Sequence, residues 1–183
     1  MTNDIRCFIA LDLPASCTNE LNRVQKELRK GTLFEGKYVE LENLHLTFKF
    51  LGSLQPELVE NVKTHLRTIK RQQFSARLGA LGVFTPSQIR VIWVELHAPE
   101  ITTLHQMIDR ALCGLFPNED RFQVHVTLAR VRSVADKQHL LNVLKNLHVN
   151  PLQGTMHSFT LYQSKLSREG PVYAPLERYL LHG

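Results

Sequence analysis

The sequence predicts an α+β fold in which two lobes, each an antiparallel sheet with helices on its outer side, face each other across a central cleft. The first observation is the order of strand-like and helix-like patterns, β-α-β-β-α-β-β-α-β-α-β-β, which lacks the strict alternation of a doubly wound sheet. The second is that strand, helix, histidine-bearing strand and helix occur twice in succession, which indicates a pseudo-twofold duplication. At 183 residues the chain suits one compact unit, so residues 1–183 are expected to form a single domain.

The first half of the chain divides at Pro and Gly residues into apolar runs with either strand or helix periodicity. Leu21, Val24 and Leu28 have helical spacing, and Pro14 and Pro56 stand where helices begin. The expected elements are a strand at 5–11, a helix from Pro14 to about Lys30, a short strand at 37–41, a strand at 44–51 closed by Gly52, and a helix from Pro56 to about Gln72.

The second half of the chain is likewise divided into apolar runs by turn-forming residues and prolines. The cluster Thr85-Pro86-Ser87 separates two strand-like runs, and Pro99 begins a helix whose apolar residues recur every three or four positions. The expected elements are strands at about 73–83 and 89–97, a helix at 99–116, a strand at 124–130, a helix at 135–147, and strands at about 154–166 and 172–181 joined by the turn 167–170.

Two of these strands carry the same polar pair. One reads Leu-His-Leu-Thr-Phe-Lys-Phe-Leu-Gly from residue 44, and the other reads Val-His-Val-Thr-Leu-Ala-Arg from residue 124. Because successive side chains on a strand point to opposite faces, His45 shares a face with Thr47, and His125 shares a face with Thr127. If the two sheets face each other, the two pairs meet in the cleft. In the alternative interpretation these residues are only polar outer-face positions of two strands.

The same alternation makes predictions for the residues that follow each pair. Phe48 and Phe50 are expected on the core face, and Lys49 on the histidine face. Arg130 falls on the face of Leu128, away from His125, and reaches the cleft only if the strand ends or bulges near Ala129. Trp93, in an apolar strand, is expected in the core.

Composition limits the classes of function. The formal net charge of +5 favours a polyanionic partner such as nucleic acid, although the chain has no dense basic tail. Three cysteines without metal-like spacing indicate a reduced, intracellular protein. No signal peptide and no apolar run of transmembrane length is visible, so a cytoplasmic location without membrane attachment is expected.

Two imidazoles across a groove suit general acid–base catalysis, because a histidine titrates near pH 6.5 and can either accept or donate a proton. In-line displacement at phosphorus needs a base on the attacking oxygen and an acid on the leaving oxygen. Two threonine hydroxyls and a basic side chain could hold the non-bridging oxygens. Such a scheme needs no metal, and two histidines without further ligands at suitable spacing make a poor zinc site.

The motifs His45-Leu46-Thr47-Phe48 and His125-Val126-Thr127-Leu128 resemble the paired H-x-T-x signatures of the two-histidine phosphoesterase superfamily. Within it the chain is similar, over nearly its full length, to the RNA 2′,3′-cyclic phosphodiesterase family, also called 2′-5′ RNA ligases. The other matching stretches are Arg6–Asp12, Glu42–Leu44, Phe50–Gly52, Arg90–Trp93, Arg130 and Gly170–Tyr173.

The resemblance implies a two-lobed, pseudo-twofold fold and hydrolysis of the 2′,3′-cyclic phosphate at an RNA end to a 2′-phosphomonoester, with no cofactor and no metal. It implies that His125 is the proton acceptor and His45 the proton donor, with Thr47, Thr127 and Arg130 binding the substrate. A monomer is expected.

Two other functions stay open. The first is 2′-5′ ligation of tRNA halves, in which a 5′-hydroxyl replaces water as the nucleophile. The second is a non-catalytic module that binds RNA ends or nucleotides. The presence of two histidine and threonine pairs favours an enzyme over such a module.

Overall fold

The computed structural model describes residues 4–167 and 170–183 and has fourteen helices and strands in the described part of the chain. In order they are β1 Ile5–Asp12, α1 Ala15–Arg29, β2 Glu35–Tyr38, a 3₁₀ turn Leu41–Asn43, β3 His45–Leu54, α2 Pro56–Leu66, β4 Phe74–Val83, β5 Val91–His97, α3 Pro99–Ala111, β6 His125–Ser133, α4 Lys137–Asn146, β7 Gln153–Met156, β8 Ser158–Ser167 and β9 Gly170–Leu180. None of the helices among these residues is long and apolar enough to cross a membrane.

The predicted order of elements is confirmed, with differences at a few ends. The strand expected at 154–166 is two strands, β7 and β8, which belong to different sheets. Helix α2 ends at Leu66 rather than near residue 72. The reason is tertiary pairing, because Gln73 N donates to His182 O and His182 N donates to Arg71 O. Of the predicted turn at 167–170, residues 168 and 169 lie outside the described residues.

The strands form two antiparallel sheets that repeat one topology. The first sheet has the order β3-β1-β8-β9, and the second has the order β2-β6-β5-β4-β7. If β2 is set aside, β3 corresponds to β6 and β1 to β5, so each histidine strand is paired with the strand that begins its own half of the chain. The predicted α+β fold with pseudo-twofold duplication is therefore confirmed.

Helices α1 and α3 each pack on the sheet opposite to that of the strand before them. Helix α1 follows a strand of the first sheet but packs on the second, where Cys17 lies beside Gly154 of β7, and α4 packs on β4 of the same sheet. Helix α3 follows a strand of the second sheet but packs on the first, where Asp109 contacts Lys49 of β3. Consequently each chain segment that enters a histidine strand comes from a helix on the other sheet.

Both histidine strands contain a β-bulge directly after the His-x-Thr pair. Thr47 pairs with Ala10, but the next pairing joins Lys49 to Ile9, so Phe48 is the extra residue in β3. In β6 the corresponding extra residue is Leu128. A bulge interrupts the alternation of side chains, and two consecutive residues are buried in each strand: Phe48 with Lys49, and Leu128 with Ala129.

The bulges overturn two predictions made from strict alternation and meet the condition stated for a third. Lys49, expected on the histidine face as a solvent-exposed base, has only 5% of its surface exposed and directs its ammonium group to Asp109 and Pro117, although part of the residue lines the cavity. Phe50, expected in the core, is 66% exposed and lines the cleft. Arg130, which strict alternation turns away from His125, lines the same cleft. After each bulge the alternation continues with the opposite phase, so Phe50 and Arg130 occupy equivalent positions in the two halves.

Candidate active site

A cavity of about 770 Å³ lies between the two sheets. Its lining includes all five residues predicted to form the site: His45, Thr47, His125, Thr127 and Arg130. The interpretation of the two pairs as unrelated outer-face positions is therefore wrong, because residues 80 positions apart in the chain meet at one concave surface.

Both ring nitrogens of His45 make hydrogen bonds. Its Nδ1 lies 2.7 Å from the carbonyl oxygen of Asn43 and its Nε2 lies 3.0 Å from Oγ1 of Thr47. A carbonyl only accepts, so the proton is assigned to Nδ1 in the neutral ring, and Nε2 is the nitrogen directed toward Thr47 and the cleft. Phe8 packs against the ring at 5.0 Å between centroids, and Tyr173 meets it edge-on at 5.4 Å.

His125 is held in the same way from the other half of the molecule. Its Nδ1 lies 2.8 Å from the carbonyl oxygen of Gln123, again two residues upstream. Among residues 4–167 and 170–183 its Nε2 has no hydrogen-bond partner, so this atom is available to a ligand in the cleft. Phe84 packs edge-on against the ring at 4.8 Å. Both histidines thus present Nε2 to the cavity, with an aromatic ring restricting each.

Both histidines have a lowered pKa. The pKa of His45 is lowered to about 4, chiefly by burial and to a lesser extent by Arg130 and His125, against the raising effects of the hydrogen bond to the Asn43 carbonyl and of the Asp12 carboxylate. Burial also lowers the pKa of His125. An ordinary histidine has a pKa of about 6.5, so both rings are predominantly neutral at pH 7. A bound phosphodiester would favour the protonated form of a neighbouring imidazole.

Two cationic side chains lie together at one side of the cavity. Lys37 of β2 pairs directly with Arg130 of β6, and both line the cleft. The guanidinium can donate two parallel hydrogen bonds to phosphate oxygens, whereas the ammonium acts as a point charge. Sequence reasoning missed Lys37, because the pairing of β2 with β6 joins segments that are distant in the chain and no local pattern indicates it.

The cavity also has exposed aromatic surface. Phe50 is 66% exposed and Phe84 is 43% exposed, and Tyr173 also lines the cleft. Trp93, expected in the core, is half-buried beneath Phe84 at 5.6 Å between ring centroids. Because Phe50 and Arg130 are equivalent by the pseudo-twofold, one half offers an apolar face and the other a cation. A ligand with a base at one end and a phosphate at the other fits this asymmetry.

Comparisons with known proteins agree with this geometry. The model of the LigT-like phosphoesterase family matches the chain twice, over residues 11–93 and 94–173, one match for each half. An RNA 2′,3′-cyclic phosphodiesterase of Methanocaldococcus jannaschii is 29% identical over 178 residues, which cover 96% of this chain and 100% of the relative. Another, of Aeropyrum pernix, is 32% identical over 146 residues, with coverages of 76% and 83%.

A solved structure gives the same result for the fold. A protein of Thermus thermophilus superposes with a TM-score of 0.80 at 29% identity, covering 98% of this chain and 99% of the other. Two sheets with paired histidines facing one cleft, together with these matches, define a phosphoesterase, a hydrolase of phosphodiester bonds. The chain belongs to the LigT-like phosphoesterase family, so the family and enzyme class implied by the resemblance are confirmed.

Proposed function

We propose that the enzyme hydrolyses the 2′,3′-cyclic phosphate at the 3′ end of an RNA to a 2′-phosphomonoester. The observation that carries the proposal is the presentation of two Nε2 atoms, one from His45 and one from His125, to one cavity that also contains Arg130. The relatives named as RNA 2′,3′-cyclic phosphodiesterases support the choice of substrate. The catalytic unit is the single domain expected over residues 1–183, acting as a cytoplasmic monomer.

The proposed chemistry is in-line displacement at phosphorus. His125 Nε2 accepts a proton from water as the water oxygen bonds to phosphorus, and the bond from phosphorus to O3′ breaks. His45 Nε2 donates its proton to the departing O3′, which becomes a hydroxyl and leaves the phosphate on O2′. Thr47, Thr127 and Arg130 bind the non-bridging oxygens, on which negative charge increases in the transition state.

The product of a defined substrate tests this function. With a short RNA ending in a 2′,3′-cyclic phosphate and with EDTA present, we expect a 2′-monophosphate, resolved from the 3′ isomer by chromatography. In the described part of the chain no group of three or more His, Cys, Asp or Glu side chains is arranged to hold a metal ion.

Each other outcome of that experiment has a definite meaning. Absence of turnover by folded protein from about pH 4 to pH 9 would contradict the hydrolase, and binding of the RNA without turnover would support a non-catalytic module. Joining of tRNA halves through a 2′-5′ bond would identify a ligase. Activity that depends on an added divalent cation would overturn the metal-free mechanism, and a 3′-phosphate product would reverse the proposed orientation of the cyclic phosphate.

The pH dependence follows from the two lowered pKa values. The donor His45 must be protonated, and its protonated fraction in the free enzyme falls as pH rises above about 4. The acceptor His125 must be neutral, and its lowered pKa keeps it neutral at pH 6.5 and above. The plot of kcat/KM, which reports the free enzyme, is therefore expected to be bell-shaped, with both limbs below pH 6.5.

The bound complex should behave differently. The anionic substrate favours the protonated form of His45, so the alkaline limb of kcat is expected at a higher pH than the alkaline limb of kcat/KM. Initial rates measured at constant ionic strength over a range of substrate concentrations separate the two profiles. Coincident alkaline limbs, or a kcat/KM limb above pH 6.5, would contradict this assignment of roles.

A further inference from the structure

Two buried polar side chains outside the histidine pairs each bond the chain segment that leads into a histidine strand. The first entry segment, residues 30–44, connects α1 to β3 and ends next to His45. The second entry segment, residues 112–124, connects α3 to β6 and ends next to His125. Each segment contains the carbonyl, of Asn43 or Gln123, that accepts from Nδ1 of its histidine.

Gln25 of α1 holds the first entry segment. Its side chain is 3% exposed, and its Nε2 donates to Val39 O at 2.8 Å and to Leu128 O at 2.9 Å. Val39 N also donates to Leu128 O at 2.9 Å. Leu128 is the extra residue of the bulge in β6, so the segment that leads to His45 is fastened to the bulge of the opposite histidine strand.

Lys49 of β3 holds the second entry segment. Its Nζ donates to Pro117 O at 2.6 Å and to Oδ1 of Asp109 in α3, while the other carboxylate oxygen of Asp109 accepts from Glu119 N at 2.9 Å. Lys49 directly follows the bulged residue of β3. The segment that leads to His125 is therefore fastened to the bulge of the other histidine strand, the converse of the arrangement at Gln25.

Aromatic contacts reinforce the second attachment. Phe122 of the second entry segment stacks on His105 of α3 at 3.9 Å and on Phe48 at 6.0 Å between ring centroids. Phe48 and Lys49 are the two consecutive side chains that the bulge buries, so the bulge gives the second entry segment both an apolar and an ionic anchor on β3.

We propose that Gln25 and Lys49 are positioning residues for the two histidines. Gln25 fixes the segment that orients His45, and Lys49, with Asp109, fixes the segment that orients His125. Because each attachment ends at the bulge of the opposite histidine strand, the pair sets the geometry between proton donor and proton acceptor. The kinetic consequence rests on the proposed function, whereas the structural consequence does not require turnover.

The experiment must separate positioning from simple stabilisation. In Lys49→Met combined with Asp109→Leu both buried charges are removed, and apolar replacement of a buried ion pair often leaves stability unchanged. We expect this variant to keep a Tm near that of the parent but to lose about tenfold to a hundredfold in kcat, because small misplacements of catalytic groups have effects of that order. Gln25→Met is expected to lower kcat as well.

A spectroscopic readout assigns each effect to one histidine. In ¹⁵N-labelled protein without substrate, the Nδ1–H resonance of each ring reports its hydrogen bond to the upstream carbonyl. The Lys49 and Asp109 double variant is expected to shift or broaden the resonance of His125 and to leave that of His45 unchanged. Gln25→Met is expected to do the reverse, which distinguishes failure of this proposal from failure of the proposed activity.

Glu20→Gln provides the matched control. Glu20 is buried and holds α1 to Asn150 by two hydrogen bonds of 2.8 and 2.9 Å, but it does not line the cavity. Its replacement should lower the Tm while kcat and both histidine resonances stay at parent values. Parent values of kcat and both resonances in the Lys49 and Gln25 variants would overturn the proposal. If the double variant does not fold, Asp109→Asn gives the same test, and an unchanged His125 resonance there overturns it equally.

Discussion

Replacement of His125 by alanine is expected to lower kcat for a 2′,3′-cyclic phosphate by about 10²–10⁴-fold, the range typical of a general acid or base. The same loss is expected for His45→Ala. Because Nε2 of each ring faces one cavity and the two act in a single displacement step, the double variant should lose little more than either single variant. Single-turnover measurements with saturating enzyme would isolate the chemical step from product release.

His65→Ala is the control for loss of an imidazole. His65 lies on the exposed side of α2, where its Nδ1 bonds only the carbonyl of Asn61, and it does not line the cavity. The kcat of the His65→Ala variant should equal that of the parent. Thermal unfolding of all four proteins would show whether the cavity variants remain folded. If a folded His125→Ala or His45→Ala protein kept more than about a tenth of the parent kcat, the acid–base pair would be refuted.

The two His-x-Thr pairs could be located from sequence because each pair precedes the bulge in its strand. Up to Thr47 and Thr127 the alternation of apolar and polar residues is regular, so assignment of these residues to one face was sound. The bulges themselves follow from the pairing of β3 with β1 and of β6 with β5. Pairing between distant segments has no local signature, which explains why the burial of Lys49 and of Phe50 was predicted incorrectly.

Other parts of the site depend on the same long-range pairing. Lys37 reaches the cavity through the partnership of β2 with β6, and Phe84 reaches His125 from the end of β4. Neither residue belongs to a motif. Arg130 was identified from the resemblance while strict alternation turned it away from the cleft, and the bulge at Leu128 reconciles the two. The fold class was more predictable, because periodicity and duplication survive the loss or gain of a residue in one strand.

Replacement of Arg130 by methionine is expected to reduce kcat/KM by about 10²–10³-fold, the loss seen when a donor to a developing oxyanion is removed. Arg130→Lys should recover part of the loss, since it keeps the charge without the two-pronged donor geometry. The cation also lowers the pKa of His45. Arg130→Met should therefore raise the pKa of His45 and move the limb of kcat/KM that His45 controls to higher pH, a change that loss of phosphate binding alone does not produce.

Arg132→Met is the matched control, because it removes a second exposed arginine of β6 that does not line the cavity. Its backbone oxygen, which accepts from Arg90 at 3.2 Å, is retained in the variant. The charge of the protein falls equally in both variants, so a general effect of charge on binding an RNA would lower kcat/KM equally in both.

A loss specific to Arg130, accompanied by the shift of the His45 limb, would place the guanidinium at the reacting phosphate beside the donor. Equal losses with unshifted limbs would restrict Arg130 to general electrostatic attraction of the substrate.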